Sequence, residues 1–211
     1  MMGLSVQTFV LGAIENNTYL IFSPEANEAV LVDPAVPSRQ VVEFLEENQL
    51  KLKAIYITHA HFDHIGGVSW FIQQTGEKID VYLHKDAVEL WENSGSARDF
   101  GFDFDSGPVP NKILEGKEIL NFSGTVIHVL HTPGHTPGHV TFYIPALGSA
   151  FCGDLIFHRG VGRTDLPNGS AEQLLGSIQD KIFTLPDNTI LYPGHGPSTT
   201  VIDEKNNNPY I

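Results

Sequence analysis

The sequence has 211 residues, of which 41% are hydrophobic and 18% are charged, a balance typical of one globular domain over residues 1–211 rather than of a disordered chain. The formal net charge of −13 disfavours binding to the phosphate backbone of nucleic acids. No apolar run reaches membrane-spanning length, and the single cysteine, Cys152, excludes an internal disulfide. Because no basic stretch followed by an apolar run opens the sequence, we expect a cytoplasmic protein without membrane or nucleic-acid partners, as a monomer or small homo-oligomer.

The first third of the chain predicts strands followed by helices. The predicted strands cover residues 6–11, 18–22 and 29–32, and the turn residues between them indicate an antiparallel meander. A helix opens at residues 37–38 and carries Val41, Phe44 and Leu45 on one face. A buried strand is predicted at residues 54–57, and a further helix begins near Val68 and ends near Gly76.

Four side chains that can bind a metal ion are concentrated directly after the strand at residues 54–57. They are His59, His61, Asp63 and His64. Neutral imidazole and ionised carboxylate are the forms that ligate metals, and both exist near neutral pH. Ligand sites of α/β proteins form at the carboxyl ends of strands, so we expect His59 and His61 to face one ion and Asp63 and His64 a second.

The middle of the chain contains a long segment without clear periodicity. A strand is predicted at residues 79–83 and a short helix at 86–91, and residues 93–112 are expected to form a loop. This loop carries Phe100, Phe102 and Phe104 at alternate positions. Two interpretations stay open, since aromatic rings of a loop can cover a hydrophobic edge or form a lid beside a substrate.

The second half repeats the pattern of a strand that ends in polar residues. Strands are predicted at 125–130, 140–144, 150–153 and 189–192, and residues 203–211 form a polar tail. Ser170 is expected to cap a helix, with Gln173 as its capping-box partner. The strand ends carry three histidines in one turn, then an aspartate, then a last histidine: His131, His135, His139, Asp154 and His195.

The order of these elements predicts two mixed sheets packed face to face with helices outside, a four-layer α/β sandwich. Taken alone, Asp154 could be a turn residue and His195 a surface histidine. Their recurrence at strand ends favours one site at one rim of the sandwich.

The run from His59 to His64 resembles the H-x-H-x-D-H signature of the metallo-β-lactamase superfamily, and the later candidates follow in the order that this superfamily requires. The resemblance spans nearly the whole chain and implies the same αββα sandwich in a single hydrolase domain. It also implies two divalent metal ions, with zinc as the first expectation and iron or manganese as alternatives. The implied ligands are His59, His61 and His135 for the first ion, Asp63, His64 and His195 for the second, and Asp154 as a bridge, with a water or hydroxide between the ions. His131 and His139 are expected to have structural or supporting roles.

Within the superfamily, residues 160–165 and 192–197 are similar to the short, single-domain hydroxyacylglutathione hydrolases of the glyoxalase II type. This similarity implies a thioesterase that acts on small hydroxyacylglutathione-like thioesters through a metal-bound hydroxide, with Asp63 and Asp154 as catalytic residues. Arg163 stands where the longer enzymes place a lysine that binds a carboxylate of the thiol. Two departures weaken the expectation of glutathione specificity: Asp165 replaces an aromatic substrate contact, and the sequence stops about where the C-terminal helical domain of the longer enzymes would begin.

The superfamily also contains zinc β-lactamases and persulfide dioxygenases. Asp154 stands where zinc β-lactamases have a cysteine ligand, and Cys152 is expected to point to the other side of the strand, which disfavours antibiotic hydrolysis. Residues 158–165 are also similar to the persulfide dioxygenases, which would need a single iron held by His59, His135 and Asp154. The second set of ligands favours the dinuclear hydrolase.

Overall fold

The computed structural model describes residues 3–75 and 79–211. The strands and helices of the first half are β1 Ser5–Leu11, β2 Asn16–Ser23, β3 Glu28–Val32, α1 Arg39–Glu47, β4 Lys51–Tyr56, α2 Phe62–Ile65, α3 Val68–Thr75, β5 Asp80–His84, α4 Val88–Glu92 and β6 Lys112–Leu114. Those of the second half are β7 Ile119–Phe122, β8 Thr125–His131, β9 Val140–Ile144, β10 Ser149–Gly153, β11 Ile156–Phe157, β12 Gly160–Val161, α5 Ala171–Ser177, β13 Ile190–Pro193, β14 Thr199–Thr200 and α6 Val201–Asn207. The predicted helix end near Gly76 lies outside the described residues.

The first sheet has the strand order β1-β2-β3-β4-β5-β6. Strands β1, β2 and β3 pair antiparallel, as the predicted meander requires, whereas β3 to β6 pair in parallel. Parallel neighbours need a crossover connection, and α1, α2 with α3, and α4 lie within these connections. The parallel strands therefore all end at one rim of the sheet.

The second sheet has the order β14-β13-β10-β9-β8-β7 and packs face to face on the first. Alternation along β2 shows the layering, because Tyr19 and Ile21 lie in the core between the sheets while Leu20 packs beneath the outer helices. A third cluster, which includes Leu174 and Ile178, packs α5 and the turn after it on the outer face of the second sheet. The predicted four-layer αββα sandwich is confirmed.

The polar end of the chain contains secondary structure that the sequence did not predict, because β14 and α6 follow β13. Thr200 caps α6 by accepting a hydrogen bond from the backbone N–H of Asp203. The carboxylate of Glu204 is buried and accepts hydrogen bonds from Arg159 Nη1 at 3.1 Å and Thr199 Oγ1 at 2.6 Å. The polar composition misled the prediction because the partner that buries Glu204 lies 45 residues earlier in the chain.

Two smaller predictions also need correction. Residues 94–100, predicted as part of a loop, form 3₁₀ turns that are broken by left-handed backbone at Gly95 and Ser96. Ser170 caps α5 through the N–H of Gln173, but its own N–H donates to Gly134 O at 2.8 Å, so the capping box is only half formed. Among the described residues, no helix combines the length and apolarity that crossing a membrane requires.

Candidate metal centre

The ends of four strands bring the seven predicted ligands to one rim of the sandwich. The segment after β4 carries His59, His61, Asp63 and His64, the β8–β9 turn carries His135, and Asp154 and His195 follow β10 and β13. Asp63 and His64 lie on α2, which begins at Phe62. The sequence predicted a turn up to Val68, so this short helix is a correction.

His59, His61 and His135 form the first cluster. His61 Nδ1 and His135 Nε2 are 2.9 Å apart, and the Nε2 atoms of His59 and His135 are 3.2 Å apart. Burial, together with the charges of the neighbouring imidazoles, lowers the pKa of His59 well below its ordinary value and that of His61 to about 3. These two rings are therefore neutral at physiological pH, which is the form that binds a metal.

The backbone carbonyl of Arg163 orients His135. It lies 2.7 Å from His135 Nδ1 and accepts the proton of that nitrogen. This hydrogen bond selects the tautomer in which Nε2 carries the lone pair. Nε2 is the atom that faces His59 and His61, so all three rings can offer a nitrogen to one cation.

Asp63, His64 and His195 form the second cluster. Asp63 Oδ2 lies 3.1 Å from His195 Nε2 and 3.6 Å from His64 Nε2. His195 Nδ1 lies 3.1 Å from the carbonyl of Ile14, which receives the Nδ1 proton and leaves Nε2 to face the cluster.

Asp154 lies between the two clusters. Its Oδ1 is 3.4 Å from His64 Nε2, and its Oδ2 is 3.8 Å from both His135 Nε2 and His195 Nε2. Gly194 packs so closely that an added Cβ would lie 2.6 Å from His64 Cε1 and closer still to Asp154 Oδ1. The carboxylate of Asp154 is thus fixed where it faces both clusters.

The charges and hydrogen bonds of the centre fit divalent cations. Burial opposes ionisation of Asp154, but His64, His135 and His195 outweigh it and hold the pKa of this carboxyl well below its ordinary value. Within the described part of the chain, its buried Oδ1 has no hydrogen-bond donor. Burial likewise opposes a charge on His64, yet Asp63, Asp154 and Asp33 raise its pKa well above the ordinary value. The carboxylates therefore stabilise positive charge at this place, and imidazole with carboxylate is a donor set of zinc, iron and manganese.

Asp33 supports the centre and was missed as a functional residue. Its Oδ2 lies 2.9 Å from His64 Nδ1, and its Oδ1 accepts a hydrogen bond of 2.8 Å from the N–H of Thr58. It thereby orients His64 and fixes the start of the histidine segment. The available signal was its position at the end of β3, which is parallel to β4.

The guanidinium of Arg163 is occupied by a neighbour. Arg163 Nε and Nη2 each donate a hydrogen bond of 2.7 Å to the carboxylate of Asp165, and both side chains are exposed. A substrate carboxylate at this position would therefore compete with Asp165 for the guanidinium.

His131 at the end of β8 and His139 at the end of the β8–β9 turn lie apart from the two clusters. His139 is buried, lies 2.9 Å from Thr132 Oγ1 through Nδ1 and stacks on His59 with ring centroids 5.3 Å apart. His131 stacks on His84 at 4.3 Å and lies 2.8 Å from Pro137 O through Nε2. His139 thus supports a candidate ligand, and His131 fixes the turn.

Cys152 is buried in the cluster beneath α5 rather than at the centre. Alternation along the strand does not explain why Cys152 and Asp154 point in different directions, because residues two apart on a regular strand share a face. The strand is irregular between Phe151 and Gly153, and Gly153 adopts a left-handed φ of 44°. Because of this irregularity, the side chain of Asp154 points to the metal centre while that of Cys152 points into the cluster beneath α5.

Comparison with known proteins decides the family, since the sequence matches the metallo-beta-lactamase superfamily over residues 11–195. The chain belongs to this superfamily. It is 34% identical over 209 residues to the hydroxyacylglutathione hydrolase GloC of Haemophilus influenzae, with 99% of this chain and 98% of that protein covered. Together with the donor set, this relative supports a metal-dependent hydrolase.

Solved structures of the metallo-β-lactamase superfamily superpose on nearly the whole chain. BLEG-1, described as a B3 metallo-β-lactamase, has a TM-score of 0.91 at 36% identity, with 98% of this chain and 99% of that chain covered. TTHA1623, solved in a di-iron-bound form, has a TM-score of 0.87 at 36% identity, with 97% and 100% covered. ETHE1 of Myxococcus xanthus has a TM-score of 0.80 at 29% identity, with 97% and 83% covered. These superpositions support the αββα sandwich.

Proposed function

We propose that this chain is a dinuclear metal-dependent thioesterase for small hydroxyacylglutathione-like thioesters. The observation that carries the proposal is the position of Asp154, whose two carboxylate oxygens face His64 on one side and His135 and His195 on the other. One carboxylate shared by two clusters suits two cations better than one. The similarity to the hydroxyacylglutathione hydrolase GloC supports the choice of substrate.

The residues that would hold the ions are those of the two clusters. His59, His61 and His135 would hold the first, Asp63, His64 and His195 the second, and Asp154 both. Bound divalent ions lower the pKa of water and polarise a carbonyl group. Zinc is our first expectation, and the di-iron form of TTHA1623 supports iron as an alternative.

A polar cleft of about 690 Å³ opens beside His61 and offers room for the thiol part of the substrate. Lys85, Asn93 and Asn168 line it together with the carboxylates Asp86, Glu89 and Asp99, and such groups suit the amides and the amino group of a peptide-like thiol. In the net reaction, a water oxygen bonds to the carbonyl carbon and the C–S bond breaks, which yields a carboxylic acid and a thiol. Asp63 would orient the water by accepting a hydrogen bond from it. A thiol with a pKa of about 8.5 leaves readily as a thiolate, so no separate acid is needed.

The experiment that tests the proposal is an assay of the metal-loaded protein on S-D-lactoylglutathione, with glutathione persulfide and a chromogenic β-lactam as competing candidates. We expect thioester hydrolysis to have the highest kcat/KM of the three. A fully metallated, folded protein without thioesterase activity would contradict the proposal.

One alternative function has support from a neighbour. The ETHE1 structure at 29% identity and the sequence of residues 158–165 are compatible with a mononuclear iron persulfide dioxygenase. In this chain Arg159 pairs with Asp203 and Glu204 and so ties α6 to the β11–β12 hairpin. Consumption of oxygen with glutathione persulfide, without thioester hydrolysis, would favour this alternative.

A pair of variants tests the proposed role of Arg163 in binding a substrate carboxylate. We expect Arg163→Ala to raise KM for S-D-lactoylglutathione about 10-fold at similar kcat, the pattern of lost uniform binding. This increase in KM is at the low end of what loss of a charge-assisted hydrogen bond would give, because Asp165 already holds the guanidinium. Asp165→Asn should lower KM, since it frees Arg163. If Arg163→Ala changes hydrolysis of a neutral truncated thioester by the same factor as hydrolysis of S-D-lactoylglutathione, the Arg163–Asp165 pair is structural.

A further inference from the structure

A second pocket, different in character from the polar cleft, reaches the centre at Asp63. Its volume is about 210 Å³. Its walls are mostly apolar and include Leu11, Ile14, Val36, Phe62, Phe102 and Phe104. Its charged groups are Asp63, a candidate metal ligand, and the exposed Asp103, whose Oδ1 lies 3.6 Å from Arg98 Nε. The pocket therefore favours an uncharged apolar group and disfavours an anionic one.

Phe62 links this pocket to the metal-binding motif, because it lies between His61 and Asp63 in the sequence. Its ring stacks on Phe102, with centroids 5.1 Å apart and planes at 25°, and packs against Phe100 at 5.3 Å. Phe102 lines the apolar pocket, whereas Phe100 lines the polar cleft beside His61. These three rings therefore form one wall that borders both the apolar pocket and the polar cleft.

The apolar pocket has surface that a ligand can cover. Leu11 and Ala35 are buried in its floor, whereas Ile14 and Phe102 are each 47% exposed. Covering exposed apolar surface is favourable in proportion to the area removed from water. An apolar cavity of about 150 Å³ is large enough to bind benzene, so the volume of this pocket suits a phenyl ring or a branched chain.

We infer that this pocket binds the acyl side chain of the thioester, and that the preferred acyl group is uncharged and apolar, with about five to eight carbons. The inference rests on the proposed thioesterase function, in which the reacting carbonyl lies at the centre. The polar cleft beside His61 then receives the thiol, and the pocket beside Asp63 receives the acyl group. The two binding regions therefore divide the specificity of the enzyme between the two halves of its substrate.

A series of glutathione thioesters that differ only in the acyl group tests the inference. The series is acetyl, D-lactoyl, isovaleryl, phenylacetyl, lauroyl and succinyl. We expect kcat/KM to rise about threefold for each methylene group that enters the pocket, to reach its maximum at isovaleryl or phenylacetyl, and to fall for lauroyl. Succinyl should be the poorest, since its carboxylate would have to leave water for the apolar walls of the pocket.

Three variants test whether the preference among acyl groups arises in the apolar pocket. Ala13→Phe places a ring on a residue that lines the pocket, and should reduce the preference for phenylacetyl over acetyl at least 10-fold while acetyl hydrolysis persists. Phe102→Ser should reduce the same ratio. Phe100→Ser is its matched control, because Phe100 is similarly exposed and also packs on Phe62 but lines the other cleft. It should change both substrates by one common factor.

Binding of the product acids gives a second readout that does not depend on turnover. Phenylacetate and isovalerate should bind the metal-loaded protein more tightly than acetate by calorimetry, and Ala13→Phe should abolish the difference. Thioester hydrolysis with a flat dependence on the acyl group, or with a preference that Ala13→Phe and Phe102→Ser leave unchanged, would overturn the acyl-pocket inference alone. Failure to hydrolyse any member of the series would overturn the thioesterase proposal as well.

Discussion

Replacing Asp154 by alanine is expected to remove both metal ions and to lower kcat/KM by about three orders of magnitude or more, as loss of a shared ligand should. The two oxygens of Asp154 face His64, His135 and His195 and so belong to both clusters. The carboxylate of Asp154 would also offset the repulsion between two divalent cations, and the variant removes this negative charge. Metal content by plasma mass spectrometry and hydrolysis of S-D-lactoylglutathione on the same sample measure the effect.

Two further variants make this result specific. His195→Ala removes a member of the second cluster only, and we expect it to retain about one ion per chain. Asp180→Ala removes an exposed aspartate outside the centre and should keep the full metal content and activity. Equal metal content in Asp154→Ala and His195→Ala would contradict the bridging position of Asp154.

Gly194→Ala is expected to have the second largest effect, although it adds only one carbon atom. Its Cβ would lie 2.6 Å from His64 Cε1 and closer still to Asp154 Oδ1. Gly194 cannot move away easily, because its N–H donates to Gly153 O at 2.8 Å and its carbonyl accepts from Asn17 N–H at 2.6 Å. Either the candidate ligands or the backbone must shift, which costs about 1–3 kcal/mol of stability. We expect metal affinity and kcat/KM to fall by about 100-fold.

Gly160→Ala provides the matched control for this steric effect. A Cβ at Gly160 would lie 3.6 Å from Phe157 Cβ, an ordinary contact, and neither glycine has a left-handed backbone. Metal content, kcat/KM and Tm should therefore match those of the unaltered protein. Gly194→Ala with normal metal affinity and activity would show that the tight packing around Asp154 does not hold the centre.

The candidate ligands could be found from the sequence because each of them follows a strand within a few residues. His59, His61, Asp63 and His64 form one local pattern, and a strand ends shortly before each of His135, Asp154 and His195. Alternation of apolar residues predicted the strands. In the second sheet β10 and β13 pair in parallel, and β8 runs in the same direction as β10 because β9 pairs antiparallel with both, so their ends lie at one rim. Local information was therefore sufficient for the αββα layers and for the four strand ends, whereas the resemblance to the superfamily selected His135 among the three histidines of its turn.

Features that depend on distant partners could not be predicted in this way. Asp33 lies 31 residues from His64, and its hydrogen bond depends on the pairing of β3 with β4. Helix α6 depends on the ion pair between Glu204 and Arg159. The ion pair of Arg163 was missed for a different reason, since its partner is close in the sequence. The resemblance assigned Arg163 to a substrate carboxylate, whereas Asp165, which replaces an aromatic residue of the longer enzymes, binds the guanidinium.

The most direct test of the dinuclear thioesterase is a titration of metal-free protein with zinc, with bound ions per chain and S-D-lactoylglutathione hydrolysis measured at each step. Parallel titrations with iron(II) and manganese(II) identify the metal that gives the highest kcat/KM. We predict that two ions bind per chain and that activity reaches its maximum only as the second ion binds. Full activity at one ion per chain, or two bound ions without thioester hydrolysis, would contradict the account.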